Sequence, residues 1–180
     1  MKRFIKILCF GDCGFSYVET MVTMIIFGLL CSALYTSAAV GDQSWQANKT
    51  KIELQQEIRK SIERMRYELR ETGNAAIFDV PADGNTYDQI TFKVPTGVVG
   101  GAIVWSNDAT EISLGGTDGE QLLMITPTKT TVVANYISGL QFRRQASSPH
   151  LLEITINASK DTTNGRTVTA QLNQKIQLRN

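Results

Sequence analysis

Glu19 is the residue whose chemistry most needs explaining. It is a carboxylate near the start of an otherwise uncharged apolar stretch, GFSYVETMVTMIIFGLLCSALYTSAAV, residues 14–40. A charged side chain deep in a bilayer costs about 2.5–3.5 kcal/mol on insertion scales, so an acid kept in such a segment indicates a functional role. The alternative is that Glu19 lies at the headgroup level of a simple membrane anchor.

Catalytic chemistry has little support elsewhere in the chain. His150 is the only histidine, and its neighbours Ser147, Ser148 and Pro149 predict a loop that leads into a strand at Leu151. A serine–histidine–acid triad needs a base held in place, and an isolated loop histidine is far more often a surface residue. We therefore expect no enzymatic activity and no catalytic residues.

Calcium binding is the other chemistry to weigh, because carboxylate and amide oxygens are the ligands that calcium prefers. The candidate ligands are Asp79, Asp83, Asn85 and Asp88 in one turn region, and Asp118 and Glu120 in another. Their spacing misses the Asp-x-Asn/Asp-x-Asn/Asp-Gly pattern, and ordinary turns favour the same residue types. The three cysteines, at positions 9, 13 and 31, leave residues 41–180 without thiolate ligands. We expect no required cofactor and no metal site, with calcium as the alternative.

The composition describes a chain of 180 residues, which is enough for one domain with a core and one further element. Residues 41–180 carry 15 basic and 15 acidic residues, so this part has no global field that would attract nucleic acid. Arg143 and Arg144 are adjacent cations that could contact DNA, but a solvated strand edge is the preferred interpretation. No nucleic-acid partner is expected.

The amino-terminal apolar stretch has the length of a membrane span. Met21–Val40 contains 20 residues without a charge, and such a helix covers about 30 Å, the thickness of the hydrocarbon core. It is longer than the ~7–15 residues of a secretory signal core. Lys2, Arg3 and Lys6 precede it and predict a cytoplasmic amino terminus, with the bulk of the protein outside.

The residues around the start of this stretch resemble a known processing signal. Gly14-Phe15-Ser16-Tyr17-Val18-Glu19, followed by Met21-Val22 and an apolar run, is similar to the signal of type IV pilins and type II secretion pseudopilins. The resemblance implies that prepilin peptidase cuts between Gly14 and Phe15 and that Phe15 is then N-methylated. Glu19 becomes the fifth residue of the mature chain, where this superfamily keeps an acid.

The same resemblance implies a role for Glu19 and a set of partners. Cleavage creates a cationic α-amino group at Phe15, and Glu19 can pair with that group on a neighbouring subunit, which fixes the stagger between subunits. The implied partners are other minor and major pseudopilins, prepilin peptidase and an inner-membrane assembly platform, which a cytoplasmic ATPase serves. The implied location is the inner membrane, in a single pass, with the carboxy-terminal domain in the periplasm.

A second helical segment follows the membrane span. Leu54, Ile58, Ile62, Met65 and Leu69 recur at spacings of three and four residues, which predicts an amphipathic helix. Residues 53 and 57 are expected on its other, polar sides, and Thr72-Gly73-Asn74 supplies a stop. One helix is therefore predicted over residues 15–72, half in the membrane and half packed on the chain's own sheet. A coiled-coil seam is the alternative for the apolar stripe.

From residue 75 onward the apolar pattern changes to alternation. It predicts strands around residues 90–94, 140–142, 152–158 and 168–178, separated by turns rich in Gly, Asn and Asp. The expected fold class is α+β and pilin-like, with a long amino-terminal helix packed on an antiparallel β-sheet domain. The expected organisation is a leader (1–14), a transmembrane half-helix (15–40), an amphipathic half-helix (41–72) and a periplasmic β-rich domain (73–180).

A closer resemblance is to the larger minor pseudopilins, specifically the J type. Ser44-Trp45, the stretch VVANYISGLQF and the ending KIQLRN carry it. It implies a structural subunit that helps to initiate or cap the pseudopilus of a type II secretion system. Two alternatives stay open: a minor pilin of a type IV pilus that serves adhesion, motility or DNA uptake, and a membrane-anchored periplasmic binding protein that never polymerises.

Overall fold

The computed structural model describes residues 16–178. Its first element is a single α-helix, α1, Tyr17–Glu71, which agrees with the predicted helix. The chain divides into two units, with the boundary between Ser44 and Trp45. The first part of α1 belongs to one unit, and its second part belongs to the other together with all the strands.

The second part of α1 is helical because its apolar residues form one stripe that packs on the sheets of its own unit. Leu54, Ile58, Ile62, Met65 and Leu69 are all buried, which confirms the predicted stripe. Their use in the core favours packing within the chain over a coiled-coil seam, since the same residues cannot serve both.

α1 ends where predicted, but the cause differs from a glycine cap. Thr72 donates from its backbone N to the Leu69 carbonyl and from Oγ1 to the Glu68 carbonyl, each at 3.2 Å. Gly73 has φ −79° and ψ 157°, so it is extended and not in the left-handed conformation of a Schellman cap. Thr72 therefore closes the last turn, and a 3₁₀ turn at Asn74–Ala76 follows.

The strands form two four-stranded antiparallel sheets, where a single sheet was expected. In chain order they are β1 (Thr86–Tyr87), β2 (Ile90–Val99), β3 (Ala102–Gly115), β4 (Gln121–Thr126), β5 (Lys129–Asn135), β6 (Ile137–Gln145), β7 (Ser148–Asp161) and β8 (Thr167–Gln177). One sheet has the order β1-β6-β7-β8 and the other the order β2-β3-β4-β5. The architecture is α+β, with the helix on two antiparallel sheets.

A single hydrophobic core joins the helix stripe to both sheets. Phe92 of β2 and Phe142 of β6 are fully buried in it, one from each sheet. The predicted alternation is clearest in β7, where Leu152, Ile154 and Ile156 are fully buried. The strand prediction is therefore confirmed for the segments that showed a period of two.

β8 is the last strand of its sheet and has a neighbour on one side only. It pairs with β7 without a bulge, in register from Asp161 opposite Thr167 to Leu151 opposite Gln177. At the other sheet's edge, β2 carries irregular register on both sides of Pro95. Proline and bulges are common ways to protect an edge strand, and β8 has neither.

Candidate assembly segment

The residues predicted to carry processing and assembly lie at the beginning of the chain. Gly14 and Phe15 lie outside the described residues. Glu19 lies in the first turn of α1, and its side chain is exposed. The Thr20 N–H donates to the Ser16 carbonyl at 3.0 Å, so the helix is already formed where Glu19 lies. An acid in a first turn is favoured there by the partial positive charge of the helix start.

The first unit exposes a long apolar surface. Every side chain from Tyr17 to Val40 is exposed. The large apolar residues among them are Tyr17, Val18, Met21, Val22, Met24, Ile25, Ile26, Phe27, Leu29, Leu30, Leu34, Tyr35 and Val40. Contiguous apolar surface of this extent marks a membrane or a protein interaction site.

The three threonine hydroxyls of this segment bond within the helix. Thr23 Oγ1 donates to the Thr20 carbonyl at 2.9 Å, and Thr36 Oγ1 donates to the Ala33 carbonyl at 2.9 Å. Thr20 Oγ1 donates to the Ser16 carbonyl at 3.3 Å. Threonine hydroxyls that bond to the helix backbone suit an environment without water. Glu19 is the one side chain between Tyr17 and Val40 with a formal charge.

By length and composition, α1 contains a segment that could cross a membrane, and none of that segment is buried. It is the only such helix in the part of the chain that the structure describes. Its geometry allows two uses. The apolar side chains can face lipid, and they can pack against equivalent helices, in which case Glu19 would need a counter-charge.

Three of the six residues considered for calcium, Asp79, Asp83 and Asn85, take part in side-chain hydrogen bonds within the protein. Asp83 accepts from the backbone N and Nδ2 of Asn85, at 2.9 and 2.7 Å, and from the Tyr87 hydroxyl at 2.6 Å. These bonds, the Tyr87 hydroxyl first, lower the pKa of the Asp83 carboxyl, and the pKa of Tyr87 is raised in return. Asp79 accepts from the Thr91 hydroxyl. Within residues 16–178, no group of three or more His, Cys, Asp or Glu side chains could hold a metal ion.

His150 lies in β7, so the predicted loop around it is wrong: the strand already begins at Ser148. Its backbone carbonyl accepts a hydrogen bond from the Leu178 N–H at 2.8 Å, and its side chain is half-buried. The residue therefore takes part in the end of the β7–β8 pairing. Sequence patterning missed the strand here because Ser-Ser-Pro-His is typical of a loop.

Arg144 is a buried side chain, which corrects the expectation of a solvated pair at residues 143 and 144. Only 5% of Arg144 is exposed, and Nε and Nη2 donate to the Pro149 carbonyl at 3.0 and 2.9 Å. Nη1 donates to the Val80 carbonyl at 2.8 Å. Burial lowers the pKa of the guanidinium from its ordinary value. Arg144 is therefore a structural residue, and Arg143 alone remains exposed.

Glu53 and Glu57 lie outside the buried stripe, as predicted, and both contact strands, which the sequence pattern did not predict. Glu53 Oε2 lies 2.9 Å from Lys160 Nζ in β7, and Glu57 Oε2 accepts from the Asn135 N–H in β5 at 3.1 Å. Lys160 Nζ also lies 4.3 Å from the ring centroid of Tyr136. One helical turn thus connects α1 to a strand of each sheet. No local pattern marks these residues, since acids at i and i+4 are equally typical of a solvated face.

Comparisons with family models, with curated proteins and with solved structures found no match to this chain. Any function for the amino-terminal segment must therefore be argued from its own residues.

Proposed function

We propose that this protein is a non-enzymatic, pilin-like subunit of a filament rooted in the inner membrane. In this proposal it is a minor pseudopilin that helps to initiate or cap the pseudopilus of a type II protein secretion system. The observation that carries the proposal is the position of Glu19: a single acid in the first turn of a helix with a fully exposed apolar surface, five residues after a glycine.

The apolar surface supplies the attraction between subunits. In the bilayer it faces lipid, and in a filament it packs against equivalent helices, so the segment is stable in both states. Apolar packing alone does not fix the register between neighbouring helices, because one apolar contact resembles another. A single charge supplies the register: Glu19 is satisfied only where the α-amino group of a neighbouring Phe15 lies within reach.

The second unit supplies a folded body with its own core. The proposal rests on the amino-terminal segment and requires no metal ion or catalytic residue in this body. The partners are other minor and major pseudopilins, prepilin peptidase and the assembly platform. The domain after the membrane segment lies in the periplasm.

The test is mass spectrometry of the amino-terminal peptide from membranes of cells with and without prepilin peptidase. We expect a chain that starts at N-methylated Phe15 in the first strain and an uncut chain in the second. A chain that starts at Met1 in both strains would overturn the proposal. Glu19 would then be an interfacial residue of an anchor, as in a non-polymerising periplasmic binding protein.

The leader offers a matched control for this test, because it contains a second glycine three residues upstream. Gly14→Val should abolish the cut, whereas Gly11→Val should leave it in place. Equal loss of processing in both variants would mean that the leader as a whole, and not the residue before the cut, was damaged.

A minor pilin of a type IV pilus is the nearest alternative, because the same Gly14–Glu19 sequence serves both machines. The two functions separate in a deletion strain. Loss of exoprotein secretion with intact surface fibres supports the pseudopilin. Loss of fibres, motility or DNA uptake with intact secretion supports the pilin.

A further inference from the structure

The outer edge of β8 is a long strand edge without a strand partner. β8 pairs with β7 on one side, and no strand lies beyond it among residues 16–178. Its sequence, TVTAQLNQKIQ, contains no proline or glycine and one charged residue, Lys175. Native sheets usually protect such an edge with proline, a bulge, several charges or a covering element. The first three protections are absent from β8.

α1 runs beside β8 without closing this edge. A groove of about 280 Å³ lies between the two elements. It is lined by Lys51, Gln55, Ile58 and Arg59 of α1 and by residues 169–172 of β8. Successive strand side chains point to opposite faces, yet both Gln171 and Leu172 line this groove. The groove therefore follows the edge of the strand and does not lie over one face.

A second, larger groove lies further along the same two elements. Its volume is about 790 Å³, and it is lined by Glu63, Arg66, Tyr67, Arg70 and Glu71 of α1 and by residues 177–178. The helix residues of both grooves recur at intervals of one, three or four positions and form one stripe from Lys51 to Glu71. That stripe is about 30 Å long, and the eleven residues of β8 span about 36 Å. The two grooves, together called the β8 groove, lie at two places along the strand, at residues 169–172 and at residues 177–178.

The helix does not cap the backbone groups of this edge. Within residues 16–178, its hydrogen bonds to strand and loop residues go to Asn135, Lys160 and Thr163, and none of these lies in β8. The open backbone groups of β8 can therefore be reached by another extended chain.

The wall of the β8 groove is basic. Lys51, Arg59, Arg66 and Arg70 face it against two acids, Glu63 and Glu71. Residues 41–180 as a whole are neutral, so this is a local excess of positive charge. Among residues 16–178, the ion pairs join other side chains and leave these four cations available. Charge complementarity predicts an acidic occupant.

We propose that the β8 groove binds an extended acidic segment of a different subunit, which adds to the sheet as a strand next to β8. Backbone hydrogen bonds to β8 hold the segment, and carboxylates at alternate positions of the segment meet the cations of α1. The identification of the occupant as a filament subunit rests on the function proposed above.

A second copy of this chain is the less favoured occupant. Two copies that paired antiparallel through β8 would carry their α1 helices in opposite directions. Chains inserted in one membrane through their amino-terminal segments need parallel helices. A different subunit can supply its segment in either direction.

The experiment uses the full-length chain in its own cells, with a photoreactive phenylalanine placed in turn at Thr167, Thr169, Gln171 and Asn173. These side chains are exposed. We expect an adduct with a different protein, mapped by mass spectrometry to an acidic segment. When the probe is moved by two residues along β8, the crosslinked position in the partner segment should also move by two residues. Paired strands have nearly the same rise per residue. An adduct of two copies of this chain, a position that does not advance with the probe, or no adduct at all would overturn the proposal.

Two double variants on α1 provide the matched comparison. Arg66→Glu with Arg70→Glu reverses two exposed cations of the groove, and we expect the adduct to fall about tenfold or more. Lys60→Glu with Arg64→Glu makes the same charge change at side chains that lie near β4 and β5 instead. This control should keep the adduct. Equal loss in both variants would contradict binding in the β8 groove.

The amino-terminal peptide from the same cells separates the two proposals. Methylated Phe15 without a β8 adduct would reject the added strand and leave the filament function in place. A register-matched β8 adduct on a chain that still starts at Met1 would reject the filament function and leave the strand-binding groove, with its occupant no longer a filament subunit.

Discussion

Arg144 Nη1 lies 2.8 Å from the carbonyl oxygen of Val80, a hydrogen bond that joins β6 to the segment before β1. With its two bonds to Pro149, this guanidinium satisfies two carbonyls from different parts of the chain and accounts for its own burial. No carboxylate takes part in these three bonds. Arg144 therefore acts as a cross-link between three segments.

Arg144→Met should lower the free energy of unfolding by about 2–4 kcal/mol. The thioether fills part of the space, but the buried Val80 carbonyl and the half-buried Pro149 carbonyl lose their donor. The measurement is urea unfolding of the full-length chain in detergent. Arg143→Met is the matched control, since Arg143 is exposed and donates to the Gly84 carbonyl at the surface. A similar loss in both variants would mean that the donor role of Arg144 is unimportant.

The buried face of α1 can be tested with two isoleucines of the same helix. Ile58 is 2% exposed, and Ile52 is 55% exposed. Ile58→Ala should lower the free energy of unfolding by about 2–5 kcal/mol because it leaves a cavity in the core. Ile52→Ala should change it by less than about 0.5 kcal/mol. Thermal or urea unfolding of the full chain checks both, and equal effects would contradict the described packing of α1.

The ion pair between Glu53 and Lys160 predicts a pH dependence of stability. Hydrogen bonding to Lys160 lowers the pKa of Glu53 below its ordinary 4.5, and the same bond raises the pKa of Lys160 above its ordinary 10.5. A carboxyl whose pKa is lowered by folding stabilises the fold at pH values above its ordinary pKa. This stabilisation is lost as the pH falls through the pKa of the folded state. A lysine whose pKa is raised by folding stabilises the fold at pH values below its ordinary pKa. This stabilisation is lost as the pH rises through the pKa of the folded state.

The stability difference between wild type and Glu53→Gln should therefore be constant from about pH 6 to 9 and shrink below pH 4.5, since both chains then carry a neutral side chain at this position. Unfolding curves across this range measure it. Glu63→Gln, on an exposed acid that no described cation pairs with, is the control. A difference that stays unchanged down to pH 2 would show that the charge of Glu53 has no part in the contact.

The parts of the fold that could be predicted are those that one chain segment decides. Ile58 belongs to a stripe of period 3.6 and Ile154 to an alternation of period two, and burial follows directly from each pattern. β5, with the sequence KTTVVAN, shows no alternation of apolar and polar residues, and its first four residues are exposed. The division into two sheets was therefore not predicted, although β2 of this sheet was.

The unpredicted contacts depend on residues far apart in sequence. Arg144 is 64 residues from Val80, and Glu53 is 107 residues from Lys160. A strand arginine or a helix acid looks the same in sequence whether its partner is water or a distant carbonyl. The β8 groove is of this kind too, since it needs both the end of a sheet and the neighbouring helix. The residues Gly14, Phe15 and Glu19 could be singled out because their signal is local.

Glu19 provides the last prediction, which separates a filament subunit from a membrane anchor. Glu19→Ala should leave cleavage and methylation at Phe15 intact but remove the subunit from the assembled complex. In an apolar helix bundle, the amine of a neighbouring Phe15 would be left as an unpaired charge, at a cost of about 3–5 kcal/mol. That corresponds to a loss of assembly of about a hundredfold or more. Co-purification of the variant with its partner subunits measures it.

Asp42→Ala is the matched control, because Asp42 is an exposed acid of the same helix that follows the apolar run. It should assemble normally. If Glu19→Ala also assembled normally, a charge-free helix would suffice, and Glu19 would be an interfacial residue of an anchor. If both variants failed, the loss would reflect negative charge on α1 in general. Only selective failure of Glu19→Ala, with normal processing, matches a carboxylate that sets the register between neighbouring subunits.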